Sequence, residues 1–374
     1  MSLSCMAFSS CFKDEPLNAE CDIEEAFIHA DKPEDLFENV TDTLVKVQSN
    51  QNTITFTMVG GADITALAPQ FRITKGATIS PASGTPQDFS KGAVTYTVTS
   101  EDQKWTRTYQ VSVQSLLHFG KERNFDFAWS KLIGNNKYAT WYELWDNGNG
   151  KATIADIWST GNPGFNISNP SSTPDQYPTI IDGSSYDGAG VQLITRRTSK
   201  IADMVKKPIA AGNLFIGQFD PQNALQDAMK ATKFGMPFSF ESEPMTFSGY
   251  YKYQPGEIFT DKNMNEMDMK DMATIYAVLY DNHDENGNAI VLYGDNVQTS
   301  NQVVALARLD DISATPEWTH FSIPFTYRQA VDANKLKKGG YSFAIVCSSS
   351  TYGAEFKGAV GSTLCVDKFK VTCK

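Results

Sequence analysis

From residue 117 to the C-terminus, short runs rich in Val, Ile, Thr, Tyr and Phe follow one another with hardly a helical stretch between them. "GAGVQLITRR" (188–197), "FSGYYKY" (247–253), "TIYAVLY" (274–280), "AIVLYG" (289–294), "EWTHFSIPF" (317–325), "YSFAIVCSS" (341–349) and "STLCVDKFKVTC" (362–373) each read as a strand. The helix candidate is "QNALQDAMKA", with Asp220 as its cap and Pro221 at the first helical position. Many strands and almost no helix leave few ways to bury apolar surface. The expected fold is all-β, a jelly-roll β-sandwich of two sheets.

The stretch "FSGYYKYQPGEIF" (247–259) makes the pattern concrete. Alternate side chains of a strand point to opposite faces. Phe247, Gly249, Tyr251 and Tyr253 then share the core face, and Pro255-Gly256 ends the strand in a turn. Tyr250 and Lys252 fall on the other face, either as plain surface or as one edge of a ligand site.

Residues 22–116 read as a separate all-β unit. "TITFTMV" (53–59), "QFRITKGATI" (70–79), "AVTYTVTS" (93–100) and "TRTYQVSVQ" (106–114) are short alternating strands separated by turn chemistry such as "PASGTPQDFSKG". This spacing predicts an immunoglobulin-like sandwich. The organisation expected is a leader and tether over 1–21, a spacer domain over 22–116 and the jelly roll over 117–374.

Charge narrows the function classes. The chain has 374 residues, with 32 Lys plus Arg against 43 Asp plus Glu, a formal net charge of -11. No basic stripe is visible, so the footprint of a nucleic-acid binder is missing. No apolar run is long enough to span a membrane as a helix. The six cysteines form no C-x-x-C pair, and the four histidines form no i, i+4 pair. The cysteines therefore read as free thiols, and a zinc site is not expected.

Resemblances to known families add to this. "ISPASGTPQDFSKGAVTYTVTSEDQKWTRTYQVSVQ" resembles the closing strands of immunoglobulin-like domains on surface lipoproteins of gut Gram-negative bacteria, with Ser83-Gly84, Asp88-Phe89, Tyr96, Val98, Glu101-Asp102, Tyr109, Val111 and Val113 filling the pattern. Phe8-Ser9-Ser10-Cys11 followed by "KDEP" resembles a lipobox with a surface-export signal. It implies lipidation of Cys11, a membrane link through a lipid anchor only, and an outer-membrane protein exposed at the cell surface. Over residues 120–374, "IWSTGNPG", "GNLFIGQF", "FGMPFSFESEPMTFSGYYKYQPGE", "TIYAVLYDN", "WTHFSIPF" and "GSTLCVDKFKV" resemble a family named for a carbohydrate metabolism domain. That resemblance implies the jelly roll of carbohydrate-binding modules. It also implies oligo- or polysaccharide as the ligand and neighbouring glycan-uptake proteins as partners.

Several constellations are candidates for chemistry. Sugar sites set exposed Trp or Tyr rings beside polar side chains. Trp141 and Trp145 in "TWYELWDNGNG", Trp158 and Asn162 in "DIWSTGNPG", Tyr186 in "SSYDGAG", Tyr352 in "SSSTYGAEFKG", and Tyr250 with Lys252 are the candidate binding residues. "NFDFAW" and "LCVDKF" resemble the opening and closing segments of carbohydrate-binding jelly rolls. By that resemblance Asp126 and Asp367 would hold a structural calcium, although Lys368 stands where a second acid is usual. "DNHDENGN" (281–288) reads as a hairpin turn rather than a calcium loop, because Tyr293 replaces the closing Glu. Glu266, Asp268 and Asp271, spaced E-x-D-x-x-D, are the carboxylates a glycoside hydrolase would need.

The reading that follows is a surface lipoprotein that binds carbohydrate without a covalent step. The alternatives are a glycoside hydrolase using those carboxylates, and an adhesin whose partners are proteins.

Overall fold

The computed structural model describes all residues except 1–15, 34–35, 38–42, 50, 59–61, 130–136 and 147–151. The chain divides into two units, Met1–Leu116 and Leu117–Lys374. Both are built from sheets.

In the first unit, Thr53–Met58, Thr106–Ser115, Val94–Thr99 and Thr78–Ser80 form a four-stranded sheet in that order, its first pair parallel. Ile23–Ile28, flanked by Leu44–Lys46 and Pro69–Ile73, forms a three-stranded antiparallel sheet. The alternation seen in "TYTVT" turns Tyr96 and Val98 inward, where they join Ala26, Phe56, Phe71 and Val111 in one core. Tyr109 belongs to that core, and its hydroxyl accepts the Ile23 amide at 3.0 Å. Asp88 caps the short turn Phe89–Lys91 by accepting the Ser90 amide at 3.0 Å.

The second unit is a two-sheet sandwich. The smaller sheet runs in the order Thr179–Asp182, Gly190–Ile194, Thr363–Cys373, Pro244–Gln254 and Thr315–Pro324, with Glu122–Phe125 beside Thr363–Cys373. The larger sheet has Asn213–Phe219, Tyr341–Ser348, Ala273–Asp281 and Val303–Ile312 at its centre. Inward side chains from both sheets meet in a single core. It holds a knot of rings in which Phe119 stacks on Phe240 at 4.6 Å and Trp145 stacks on Phe238 at 5.4 Å. Cys347, Cys365 and Cys373 are buried free thiols and Cys21 is a half-buried one.

The strand Pro244–Gln254 follows the expected alternation. Phe247, Gly249 and Tyr253 are buried, Tyr251 packs partly against the same core, and Tyr250 and Lys252 lie on the outer face. Gly249 has a packing reason. A Cβ there would come within 2.4 Å of the Phe369 ring, which fills the space the glycine leaves.

Two local expectations change. The predicted helix after Pro221 divides into Pro221–Gln226 and Ala228–Ala231, because Asp227 starts a new cap by accepting the Met229 amide at 3.0 Å. The turn in "DNHDENGN" closes through Asp284, which accepts the Asn286 and Asn288 amides at 2.8 Å, and through a bridge between His283 and Ala289. Leu292–Tyr293 then pairs with Thr232–Phe234 instead of continuing the hairpin.

The carboxylate of Glu143 is built into the core. The strand Trp141–Asp146 alternates so that Trp141, Glu143 and Trp145 all point inward. The Glu143 carboxylate accepts the Trp158 indole N–H at 2.7 Å and the Asp126 and Phe127 amides at 3.0 and 3.2 Å. Burial pushes its carboxyl above the usual carboxylate range, and these hydrogen bonds pull back only in part.

These contacts yield two expectations. Gly249→Ala forces the Phe369 ring to move and should cost about 1–3 kcal/mol, read as a lower urea midpoint at unchanged m. Because Glu143 binds its proton more readily folded than unfolded, it contributes stability that is present at low pH and is lost as pH rises through its raised pKa. Glu143→Gln should remove that share, making the slope of stability against pH more positive in the mildly acidic range by at most about 1.4 kcal/mol per pH unit. An unchanged profile would refute the assignment.

Candidate functional site

The outer face of the smaller sheet carries an aromatic patch. On the strand Pro244–Gln254, Tyr250 lies opposite His320 of Thr315–Pro324 on one side and Asp367 of Thr363–Cys373 on the other. Its ring centroid is 5.1 Å from that of His320. The segment 183–189, which joins Thr179–Asp182 to Gly190–Ile194, lays the Tyr186 ring flat on Tyr250, with centroids 3.9 Å apart and planes at 14°. Tyr186 also meets the Trp318 ring edge-on at 6.0 Å. Lys252 holds its ammonium 4.8 Å from the Trp318 ring centroid and donates to the Ser184 hydroxyl at 3.1 Å. Tyr186 is 48% exposed, His320 is exposed, and Tyr250, Lys252 and Trp318 are half-buried.

The segment that carries Tyr186 is fastened at several points. Asp182 accepts the Ser184 amide at 2.9 Å. Asp367, fully buried, accepts the Asp187 amide at 2.9 Å on one oxygen and the Lys368 amide at 2.7 Å on the other. Burial raises the Asp367 carboxyl, and the Asp187 and Lys368 amides oppose that shift. Lys368 adopts a positive φ of 49° and sends its ammonium to Asp187 at 2.9 Å and Asp126 at 3.8 Å. The rings are thus held in place by main-chain donors on a buried carboxylate.

Of the sequence-derived candidates, Tyr186, Tyr250 and Lys252 come together here. The others do not. Trp141, Trp145 and Trp158 are core residues, 1%, 0% and 7% exposed. Trp145 is closed in by Phe238 and by the Arg123 guanidinium 3.8 Å from its ring centroid, and Trp158 by Phe125, Phe127 and its bond to Glu143. No ring face is left for a sugar. Asn162 is a buried clamp, giving and accepting bonds with the Thr179 main chain at 2.7 and 3.0 Å. Tyr352 is 37% exposed and packs edge-on against Phe259. Trp318 and His320 were missed as site residues. Their signal lies in "EWTHFSIPF", where Phe321 faces the core and alternation turns Trp318 and His320 outward.

The carboxylates considered for hydrolysis are held in different settings. Asp271 is buried and engaged on both oxygens, accepting from Ser350 at 2.6 Å, Ala359 at 2.7 Å, Ser362 at 2.8 Å and Met272 at 3.0 Å. Glu266 and Asp268 are exposed on the irregular segment leading into Ala273–Asp281. Asp271 is therefore a structural clamp withdrawn from the other two.

The residues do not fit a calcium ion. Asp367 spends both oxygens on amides, and Asp126 is paired with the Lys368 ammonium. Among the described residues no three His, Cys, Asp or Glu side chains are grouped to hold a metal. Cys11 and the leader lie outside the described residues.

A second concavity, of about 650 Å³, lies over the outer face of the larger sheet. Among the described residues no Asp or Glu lines it.

The family described as Putative carbohydrate metabolism domain matches residues 124–372, and that described as SGBP, N-terminal matches residues 37–113. No curated protein matches the chain. A crystal structure described as a putative glycoside hydrolase from Bacteroides thetaiotaomicron is 36% identical, with 97% of this chain and 99% of that one covered and a TM-score of 0.71. A second, described in the same words and from Bacteroides vulgatus, is 36% identical over 67% of this chain and 98% of its own, with a TM-score of 0.59. With the matched stretch covering most of the chain, the protein belongs to the Putative carbohydrate metabolism domain family.

Proposed function

We propose that this protein binds carbohydrate at the cell surface without cleaving it, and that the sugar stacks on the Tyr186–Tyr250–Trp318 patch. The carrying observation is that three aromatic residues gather on one sheet face with partial exposure, beside Lys252, His320 and Ser184. Pyranose rings offer apolar C–H faces and ring hydroxyls, and this set supplies partners for both. The fastening through Asp367 means that ligand binding need not order the loop first, which saves the entropy an unfixed loop would lose.

A hydrolytic role is the competing reading, because two relatives are described as putative glycoside hydrolases. Two-carboxylate hydrolysis needs a pair about 5–9.5 Å apart across the scissile bond. The clamped state of Asp271 counts against the E-x-D-x-x-D set. The surface location rests on the likeness of the Cys11 segment to a lipobox and on the SGBP, N-terminal match, and an accessory role in glycan capture, beside neighbouring uptake proteins, follows from it.

Affinity electrophoresis against a panel of soluble polysaccharides tests the binding reading. Tyr250→Ala and Trp318→Ala should each weaken retention about tenfold, a loss of about 1.4 kcal/mol, with thermal unfolding little changed. Asp367→Asn should weaken it too, by loosening Tyr186. Reducing ends released by the wild type and lost in Glu266→Gln would replace binding with hydrolysis. Unchanged retention in both aromatic variants would remove the patch.

The Asp126–Lys368–Asp187 cluster carries its own cation in Lys368. The melting temperature should therefore be the same in EDTA and in millimolar calcium. A rise of several degrees with calcium would restore the ion to this end of the sandwich.

A further inference from the structure

Each ring of the aromatic patch has two faces, and the contacts show which of them are taken. Tyr250 stands half-buried on the strand Pro244–Gln254. The Tyr186 ring covers one of its faces, with centroids 3.9 Å apart and planes at 14°. A sugar C–H face needs that same approach, so a seated Tyr186 closes this face of Tyr250 to it. Tyr250 also meets the His320 ring at 5.1 Å and 59°. Trp318 is half-buried too, and the Lys252 ammonium stands over its ring at 4.8 Å. A cation so placed takes up the negative ring face that a sugar C–H would seek.

Tyr186 differs from both. Tyr250 occupies one of its faces, and Trp318 meets it edge-on at 6.0 Å and 68°. Even so it is 48% exposed, more than either supporting ring. With one face stacked, the surface left to solvent is the side turned away from Tyr250. One flat aromatic face is thereby open.

The segment 183–189 is shaped to keep it there. The Tyr186 hydroxyl is hydrogen-bonded to that of Tyr250, which pushes the Tyr186 phenol above its ordinary pKa. Asp367 holds the next main-chain amide, that of Asp187, at 2.9 Å. Ser185 closes the turn by donating to the Gly188 carbonyl at 2.8 Å. At Gly190 a Cβ would come within 2.8 Å of the Ser185 Cβ, so the loop settles onto the strand where a side chain is missing. Tyr186 is presented by its neighbours, and they spend their own ring faces in presenting it.

We propose that Tyr186 is the residue on which the sugar stacks, that Tyr250 and Trp318 are positioning residues acting through it, and that the site therefore stacks one pyranose unit of a chain. The assignment rests on the carbohydrate reading and narrows it from a three-ring surface to one ring face. Its signature is non-additivity. Residues that work through one contact lose that contact once, whereas rings that each touch a sugar lose independently.

Affinity electrophoresis of the full chain in xylan, glucomannan, galactan and pullulan gels tests this, with thermal unfolding run on every variant. In the gel that retards the wild type, Tyr186→Ala should weaken retention by about tenfold or more, although it uncovers the Tyr250 face. Adding Tyr250→Ala to Tyr186→Ala should cost no more than about twofold further. Tyr250→Phe, which keeps a ring beneath Tyr186, should recover most of the affinity that Tyr250→Ala loses. Isothermal titration with oligosaccharides cut from the same polysaccharide should gain less than about fivefold between the trisaccharide and the hexasaccharide. Retention kept in Tyr186→Ala but lost in Tyr250→Ala, or losses that multiply to about a hundredfold in the double variant, would overturn the assignment and leave the patch a sugar site. Unchanged retention in Tyr186→Ala, Tyr250→Ala and Trp318→Ala alike would remove the patch itself, and this inference with it.

Discussion

The contact between Gly249 and the ring of Phe369 sets the geometry of the smaller sheet. Without a side chain at 249, Phe369 fills the space above the strand and meets Phe247 at 5.1 Å and Phe321 at 5.8 Å. The same tight pairing carries a register shift between Ser248 and Tyr250 where Pro244–Gln254 runs along Thr363–Cys373. The irregularity falls beside Asp367 and Lys368, the latter at a positive φ, and their side chains go to different partners. Bulges of this kind re-aim side chains, commonly near functional surfaces. Core packing on one face of the strand thereby decides how Tyr186, Tyr250 and Lys252 are presented on the other.

How much of this was legible depends on the range over which each signal acts. The all-β architecture was, because alternation is local and repeats in every strand. The inward set Phe247, Gly249 and Tyr253 and the outward pair Tyr250 and Lys252 follow from the same rule. Trp141, Trp145 and Trp158 misled because turn residues nearby suggested loops. Their strands instead point them inward, where large aromatic surfaces bury most favourably. Trp318 was readable from alternation but stood among core-like residues. Nothing local places Tyr186 on Tyr250, since that contact joins segments 64 positions apart through a loop whose path is set by Asp367. The Asp271 clamp is equally non-local, drawing on Ser350, Ala359 and Ser362.

Buried carboxylates divide the labour of this unit in a consistent way. Glu143, Asp271 and Asp367 are all withdrawn from solvent and all accept two or more hydrogen bonds. Burial raises each carboxyl, and donors aimed at each oxygen oppose the shift. Such groups hold loops and strand ends in register, where a main-chain amide would otherwise lack an acceptor. A raised carboxyl in a family with relatives described as hydrolases invites a catalytic reading. In this structure these three carboxylates face main-chain and side-chain donors of their own unit.

The two outer faces of the sandwich differ in kind, and the difference follows from strand composition. In Thr363–Cys373 the inward positions Leu364, Val366, Phe369 and Val371 alternate with Cys365, Asp367 and Lys370, and the buried Asp367 fastens the segment that lies over it, so this face carries rings among hydrogen-bonding groups. In Asn213–Phe219 and Tyr341–Ser348 apolar side chains fall on both faces, so the second face must be roofed. A roof made of short helices such as Asn162–Ser168 and Lys200–Met204 can close only in part, because each presents one or two turns of contact. The open part keeps an apolar floor at Phe215 and an aliphatic rim at Ile167 and Ile201, while the aromatic patch keeps polar neighbours. A single small ligand would not satisfy both surfaces, and the fold separates them by the thickness of its own core.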